Sequence, residues 1–287
     1  MPSEVTLPGT RVFDLAPPGG GEPWRIFLAV PEAPAPAGGF PSIFMLDANA
    51  GFATLVETLR RGAMRPAATG IVPAVLVGIG YPTETLYERA RRTYDYSPGP
   101  SSEARVPGAD DQPPTGGRDR LLAFIEQELK PTIAGIAPLD PARQTLLGHS
   151  LAGFFALDVL TRNTSAFRSY IAVSPSIWWD EARLNAGLAA IAPPAAPVRL
   201  VIAVGEWEQA LAPWQQGRPD SAELAARRSR RAMVDRARLF AERAAIVLGT
   251  EARVRFDMLP EEDHASVLPA AMSRAIRFVL REDEDQP

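Results

Sequence analysis

Short apolar runs alternate along the chain with longer stretches in which apolar residues recur every three or four positions. The short runs are typical of buried strands, and the three-to-four spacing is typical of amphipathic helices. The pattern predicts strands at Trp24–Val30, Ser42–Leu46, Ala74–Ile79, Thr145–Gly148, Ser169–Val173, Val198–Val204 and Arg253–Met258. It predicts helices at Phe52–Arg61, Arg118–Ile136, Leu151–Thr161, Glu181–Ile191, Ala222–Leu248 and Ala265–Leu280.

This alternation of strands and helices predicts an α/β fold. Crossover connections place the strands in a mostly parallel central sheet with helices on both faces. The first two strands could instead pair as an antiparallel hairpin at one edge. Two stretches rich in Pro and Gly, around residues 96–117 and 207–221, predict long irregular loops. Since the alternation resumes after each, we interpret residues 1–287 as a single domain.

Composition excludes several classes of function. The chain has no cysteine and only two histidines, which excludes disulfides, thiolate metal sites and multi-histidine metal sites. A net charge of −4 gives no reason to expect nucleic-acid binding. No apolar run approaches the roughly 20 residues that span a membrane, and no signal peptide is visible at the N-terminus. We therefore expect a cytoplasmic protein, or a periplasmic one whose signal has been removed.

A candidate nucleophile lies in the stretch L-L-G-H-S-L-A-G-F-F, residues 146–155. A serine between a strand and a helix, flanked by small residues, is the nucleophile elbow of hydrolases, G-x-S-x-G. Here Ala152 replaces the second glycine, which keeps a small side chain at the crossing. Ser150 is thus predicted to be a nucleophile, although a serine here could also simply cap the helix that follows.

The general base must be one of the two histidines. His149 adjoins the serine but projects in another direction from the turn, so a packed or hydrogen-bonded role suits it better. His264 follows the last predicted strand and the loop L-P-E-E-D. That is where an elbow hydrolase places its base, so His264 is the predicted base.

The acid that orients the histidine should lie between the serine and the base. The stretch G-E-W-E-Q after the strand Val198–Val204 offers Glu208, which we favour, and Glu206 as the alternative. The weaker candidates are Asp180, Asp220 and Asp263.

Acyl transfer also needs donors for the developing oxyanion. The backbone N–H of Leu151, directly after the nucleophile, is one candidate. The N–H of Asn49, in the loop M-L-D-A-N-A-G-F after an early strand, is the other. Asp47 in that loop is expected to fix the shape of the loop.

Six motifs together resemble one family: G-H-S-L-A-G-F-F, V-S-P-S-I-W-W, V-G-E-W-E, D-H-A-S-V, V-G-I-G-Y and R-R-T-Y-D-Y-S-P. Their order and spacing are similar to those of the putative-esterase (esterase D-like) α/β hydrolases, over about residues 24–280. The sequence looks most like the siderophore-esterase branch, which hydrolyses enterobactin-type trilactones and related catecholate esters. Sister branches hydrolyse feruloyl, acetyl or thiol esters, and a member that only binds a ligand is a more distant alternative.

The resemblance implies a serine ester hydrolase that works through an acyl-enzyme. It assigns Ser150 as nucleophile, His264 as base and Glu208 as acid, although some members are described as working with little more than a Ser–His dyad. Asn49 and Leu151 match the oxyanion positions.

The same resemblance bears on the substrate, which we expect to be a small ester, aromatic and anionic. Arg92 resembles a basic residue that could contact an anionic substrate. Trp178 could line an aromatic pocket, although a packing role is equally compatible with the sequence. The arginines of residues 225–238 could steer an anion or form an ordinary solvated face. No cofactor is expected, and iron would arrive only as part of a ferric substrate.

Overall fold

The computed structural model describes residues 6–103, 112–192, 194, 196–250 and 252–281. Part of the predicted loop at 96–117 (residues 104–111) lies outside the described residues. The strands are β1 Thr10–Leu15, β2 Trp24–Ala29, β3 Phe40–Leu46, β4 Val75–Gly80, β5 Leu139–His149, β6 Ser169–Val173, β7 Arg199–Gly205 and β8 Arg253–Leu259.

These strands form one sheet in the order β1-β2-β4-β3-β5-β6-β7-β8. Strands β3 to β8 run parallel. At one edge of the sheet, β2 pairs antiparallel with β4, and β1 pairs antiparallel with β2. Every residue of β3, β4 and β6 is buried, as expected of strands that are covered on both faces.

Helices cover both faces of the sheet, as predicted. They are α1 Ala48–Ala63, α2 Pro66–Thr69, α3 Arg89–Tyr96, α4 Arg118–Phe124, α5 Lys130–Ala134, α6 Leu151–Arg162, α7 Glu181–Ala190, α8 Ser221–Arg231, α9 Met233–Leu248 and α10 Val267–Leu280. α1 and α10 supply apolar side chains to the core on one face. On the other face, α4, α6, α7 and α9 contribute to a larger core. The α/β-hydrolase architecture predicted from the sequence is confirmed.

The proposed hairpin between the first two predicted strands is wrong. β2 is antiparallel, but its neighbours are β1 and β4, and β4 lies between β2 and β3. β3 is fully buried and pairs with a parallel strand on each side, β4 and β5. An edge hairpin would have left this apolar strand without one of those neighbours.

Two predicted helices are interrupted. The stretch 222–248 divides at Ala232, whose φ of 42° is left-handed, into α8 and α9. The stretch 118–136 contains one π-helical segment, Ile125–Leu129, between α4 and α5.

The apolar pattern alone also missed β1, α2 and α3. The predicted loop at 207–221 overlaps one short 3₁₀ turn, Glu206–Glu208, and contains another, Pro213–Gln215.

The carboxyl ends of the parallel strands meet at one edge of the sheet, where open α/β sheets bind their ligands. The segments after β3, β5, β7 and β8 contain the predicted catalytic and oxyanion residues, and the segments after β4 and β6 contain Arg92 and Trp178. Within the described part of the chain, no helix is long and apolar enough to cross a membrane.

Candidate active site

Ser150 lies on a sharp turn between β5 and α6. Its φ of 60° and ψ of −120° are strained for a residue with a side chain. Its N–H donates to the Val173 carbonyl at 2.9 Å, and its own carbonyl accepts from Phe154 N and Ser176 N, each at 3.0 Å. The surrounding hydrogen bonds therefore hold the strained conformation, as a nucleophile elbow requires.

Close contacts between β5, α6 and the segment after β6 explain the small residues around Ser150. A Cβ at Gly148 would overlap the backbone carbonyl of Ala152, and one at Gly153 would lie 3.1 Å from the backbone of Pro175. The strand and the helix therefore need glycine at 148. Ala152 itself is fully buried in the core, so the fold accommodates alanine in place of the second glycine of G-x-S-x-G.

The structure brings Ser150, His264 and Glu208 into one hydrogen-bonded chain. His264 Nε2 is 2.9 Å from Ser150 Oγ, and His264 Nδ1 is 2.7 Å from Glu208 Oε2. The Glu208 side chain is fully buried, whereas the His264 side chain is 43 % exposed. This geometry suits a base that is oriented by a carboxylate and open to a substrate on one side.

Glu208 is held by two further donors. Its Oε1 accepts from Gly205 N at 2.7 Å and from Ser174 Oγ at 2.5 Å. Buried carboxylates with such partners remain oriented. Ser174, in the V-S-P-S-I-W-W motif, was not singled out from the sequence as a partner of the acid.

The other acid candidates have different partners. Glu206 is exposed and accepts from Glu261 N at 2.9 Å. Asp180 caps α7 by accepting from Arg183 N. Asp220 pairs with Arg218, and Asp263 accepts from backbone N–H groups of its own loop.

The segments that carry the acid and the base pack closely together. A Cβ at Gly205 would overlap the carbonyl of Glu262, and Trp207 N donates to that carbonyl at 3.0 Å. The glycine of V-G-E-W-E thus permits the approach that joins Glu208 to His264.

His149 has the hydrogen-bonded role that the sequence predicts. Its Nε2 is 2.9 Å from the carbonyl oxygen of His264. A carbonyl only accepts, so Nε2 carries the proton. Burial, reinforced by the nearby His264, lowers the pKa of His149 to about 3, which keeps the ring neutral.

Leu151 and Asn49 both lie in the first turn of a helix that begins at the candidate site. N–H groups in a first turn have no acceptor within their own helix. α6 and α1 follow the neighbouring parallel strands β5 and β3, so both helices begin at the same edge of the sheet. The N–H groups of Leu151 and Asn49 therefore lie at that edge. The Asn49 side chain is fixed by Tyr81, since its Oδ1 accepts from Tyr81 N and its Nδ2 donates to Tyr81 O, each at 2.9 Å.

Arg92 lies beside this loop and is paired with Asp47. Its guanidinium donates to both carboxylate oxygens of Asp47, with the shortest distance 2.7 Å. Asp47 has a left-handed φ of 53°, and its N–H donates to the hydroxyl of Tyr96. Arg92 and Tyr96, both from R-R-T-Y-D-Y-S-P, therefore fix the shape of the loop that carries Asn49. Contact of Arg92 with a substrate stays a prediction.

A cavity of about 170 Å³ opens beside Ser150. It is lined by Ser150, Ser176, Trp178, Glu208, Leu224, Arg227, Arg228, Arg231, Met233 and His264. A larger groove of about 530 Å³ lies beside α1 and contains none of these residues. We assign the smaller cavity to the chemistry because it contains the hydrogen-bonded triad. Among the described residues, no cluster of His, Asp or Glu could hold a metal ion.

Comparison with known proteins agrees with the predicted family and fold. Residues 21–259 match the model of the family described as Putative esterase. The chain is 35 % identical to the ferri-bacillibactin esterase BesA of Bacillus subtilis, over 97 % of this chain and 92 % of that protein. It is 36 % identical to a siderophore enterobactin esterase of Emericella nidulans, over 83 % of this chain and 81 % of that protein.

Solved structures show the same architecture. The BES protein from Bacillus cereus superposes with a TM-score of 0.82 at 32 % identity, covering 97 % of this chain and 98 % of that one. The siderophore hydrolase EstB from Aspergillus nidulans gives a TM-score of 0.81 at 28 % identity, with both chains fully covered. The chain therefore belongs to the Putative esterase family of α/β hydrolases, and its sequence and fold are those of a serine ester hydrolase.

Proposed function

We propose that the protein hydrolyses ester or lactone bonds of a siderophore, of the catecholate trilactone class, through an acyl-enzyme on Ser150. The observation that carries the chemistry is the contact of 2.9 Å between Ser150 Oγ and His264 Nε2, with Glu208 behind the histidine. The siderophore substrate is supported by the names of the bacterial and fungal relatives, which act on siderophore esters.

The reaction follows from the positions of these groups. His264 Nε2 takes the proton of Ser150 Oγ as the oxygen attacks the ester carbonyl, and the buried Glu208 stabilises the imidazolium. The N–H groups of Leu151 and Asn49 donate to the developing oxyanion. His264 then protonates the leaving alkoxide, and water, deprotonated by the same histidine, releases the acyl group. No cofactor takes part, and iron enters only within a ferric substrate.

A substrate panel tests this proposal. Ser150→Ala should abolish hydrolysis of p-nitrophenyl esters and of catecholate trilactones, and a fluorophosphonate probe should label the wild-type serine only. The kcat/KM for trilactones should exceed that for feruloyl, acetyl and short-chain esters. Retained hydrolysis in Ser150→Ala would refute the mechanism. A preference for feruloyl or acetyl esters would leave the mechanism intact and refute the substrate.

A further inference from the structure

One face of α8 forms a wall of the catalytic cavity. Leu224, Arg227, Arg228 and Arg231 are three, four and seven residues apart, the spacing that aligns side chains on one side of a helix. All four line the cavity that contains Ser150. Of the arginines that the sequence left as either a steering patch or a solvated face, Arg227, Arg228 and Arg231 therefore line the cavity.

The cavity wall carries an excess of positive charge. Among its described lining residues, three are arginines and one is a carboxylate, Glu208, which is buried and hydrogen-bonded to His264. The protein as a whole has a net charge of −4. The positive lining is therefore a local feature of the cavity and not a consequence of overall composition.

Two of the three arginines are engaged within the protein. Arg228 donates to the carbonyl of Ala210 at 2.6 Å and to Gln215 Oε1 at 2.7 Å. It thereby ties α8 to the loop that follows Glu208.

Arg231 is also engaged. It pairs with Glu103 at 2.8 Å, and its guanidinium lies 3.7 Å from the centre of the Trp178 ring. This stacking is a cation–π contact that fixes the indole against the cavity. The Nε1–H of Trp178 is buried and has no acceptor among the described residues.

Arg227 is different from its two neighbours. It is exposed, and it makes no hydrogen bond or ion pair with any residue in the described part of the chain. Arg227 lies close enough to Glu103 to help lower the pKa of that carboxyl, but Glu103 forms its ion pair with Arg231. With no hydrogen-bond or ion-pair partner among the described residues, Arg227 is available to a ligand on the cavity wall.

Resting on the proposed ester hydrolysis, we propose that Arg227 is the specificity-determining cation of the site and binds a negatively charged oxygen of an aromatic ester whose ring packs against Trp178. Arg231 orients the indole, and Arg228 supports the wall. The substrate class is thus an ester that carries an aromatic ring and an anionic group within reach of α8.

The test compares two esters that differ in charge, 4-carboxyphenyl acetate and phenyl acetate. The measured quantity is the ratio of their kcat/KM values. Arg227→Gln should lower this ratio about three- to tenfold, the effect of one partly exposed charge pair. The matched control is Arg230→Gln, which removes the same charge from an exposed position on α8 that does not line the cavity. Arg230→Gln should leave the ratio at the wild-type value.

The outcomes separate the inference from the proposed function. An equal fall of the ratio in both variants, or no fall in either, would overturn the role of Arg227. Wild-type protein that hydrolyses neither these two esters nor the trilactones would overturn the esterase proposal instead. In that event, dissociation constants of the two esters measured calorimetrically on Ser150→Ala, with and without Arg227→Gln, decide the anion site. Selective weakening of the anionic ester supports the site, and equal affinities refute it.

Discussion

His149 donates its Nε2–H to the carbonyl oxygen of His264, and the two imidazole rings lie 4.8 Å apart. The histidine that precedes the proposed nucleophile thus holds the backbone of the proposed base. This contact joins the elbow after β5 to the loop after β8 independently of the triad hydrogen bonds. His149 is therefore a positioning residue, and its neutral state is part of that role.

We expect His149 to make the protein acid-sensitive. In the unfolded chain its pKa is about 6.5, and in the folded protein burial lowers the pKa to about 3. Between these values the unfolded state binds a proton that the folded state does not, so the free energy of unfolding falls as the pH is lowered through this window and is fully present above pH 6.5. From pH 6.5 to 4.5, wild type should lose about 2 kcal/mol more than His149→Gln. Urea unfolding at the two pH values measures this difference, and equal losses would contradict it.

The two glutamates of V-G-E-W-E should respond differently to the same substitution. Glu208→Gln replaces the carboxylate that accepts from His264 with an amide, and we expect kcat to fall about 10²- to 10⁴-fold. Glu206→Gln is the matched control, because Glu206 is exposed and, among the residues that the structure describes, bonds only to the Glu261 backbone. Its kcat should stay within about twofold of wild type. A small effect of Glu208→Gln would show that the Ser–His pair suffices, and steady-state kinetics on p-nitrophenyl acetate distinguishes the two results.

The sequence predicted the positions of Ser150, His264 and Glu208 because local rules fix each one. A strand, a small-residue turn and a helix define the elbow, and the order of serine, acid and histidine limits the partners. With only two histidines in the chain, the base had few alternatives. The parallel sheet then places the loops after β5, β7 and β8 at the same edge.

Other features depend on tertiary contacts that no local pattern reports. β2 pairs with β4 because β3 already has β4 on one side and β5 on the other. The left-handed turn at Ala232 has neither glycine nor proline to mark it, although this turn ends the helix face that lines the cavity. The pair of Arg92 with Asp47 joins residues 45 positions apart. The motif R-R-T-Y-D-Y-S-P drew attention to Arg92 as a possible substrate contact, but it did not indicate the pairing with Asp47.

Trp178 should favour aromatic substrates. Its ring lines the cavity and is held by Arg231. Trp178→Leu should lower the ratio of kcat/KM for phenyl acetate to that for cyclohexyl acetate about three- to tenfold, because aromatic contacts contribute roughly 1 kcal/mol beyond area burial. Trp178→Phe should retain most of the ratio. Trp214→Leu, at an exposed position that packs on Trp207 outside the cavity, is the control. Equal ratios in all four proteins would contradict the assignment.

The elbow should tolerate glycine at 152 but not alanine at 148. In Gly148→Ala the new methyl group would overlap the backbone carbonyl of Ala152, and backbone cannot move aside as a flexible side chain can. We expect overpacking to cost about 1–3 kcal/mol or more of folding free energy and to displace Ser150 from His264, so that kcat falls at least about tenfold. Ala152→Gly adds no atoms and should cost only about 1 kcal/mol from the lower helix propensity of glycine, with kcat near wild type. Urea unfolding and fluorophosphonate labelling rates measure the two effects. Equal behaviour of the two variants would mean that the crossing of β5 and α6 does not set the geometry of the nucleophile.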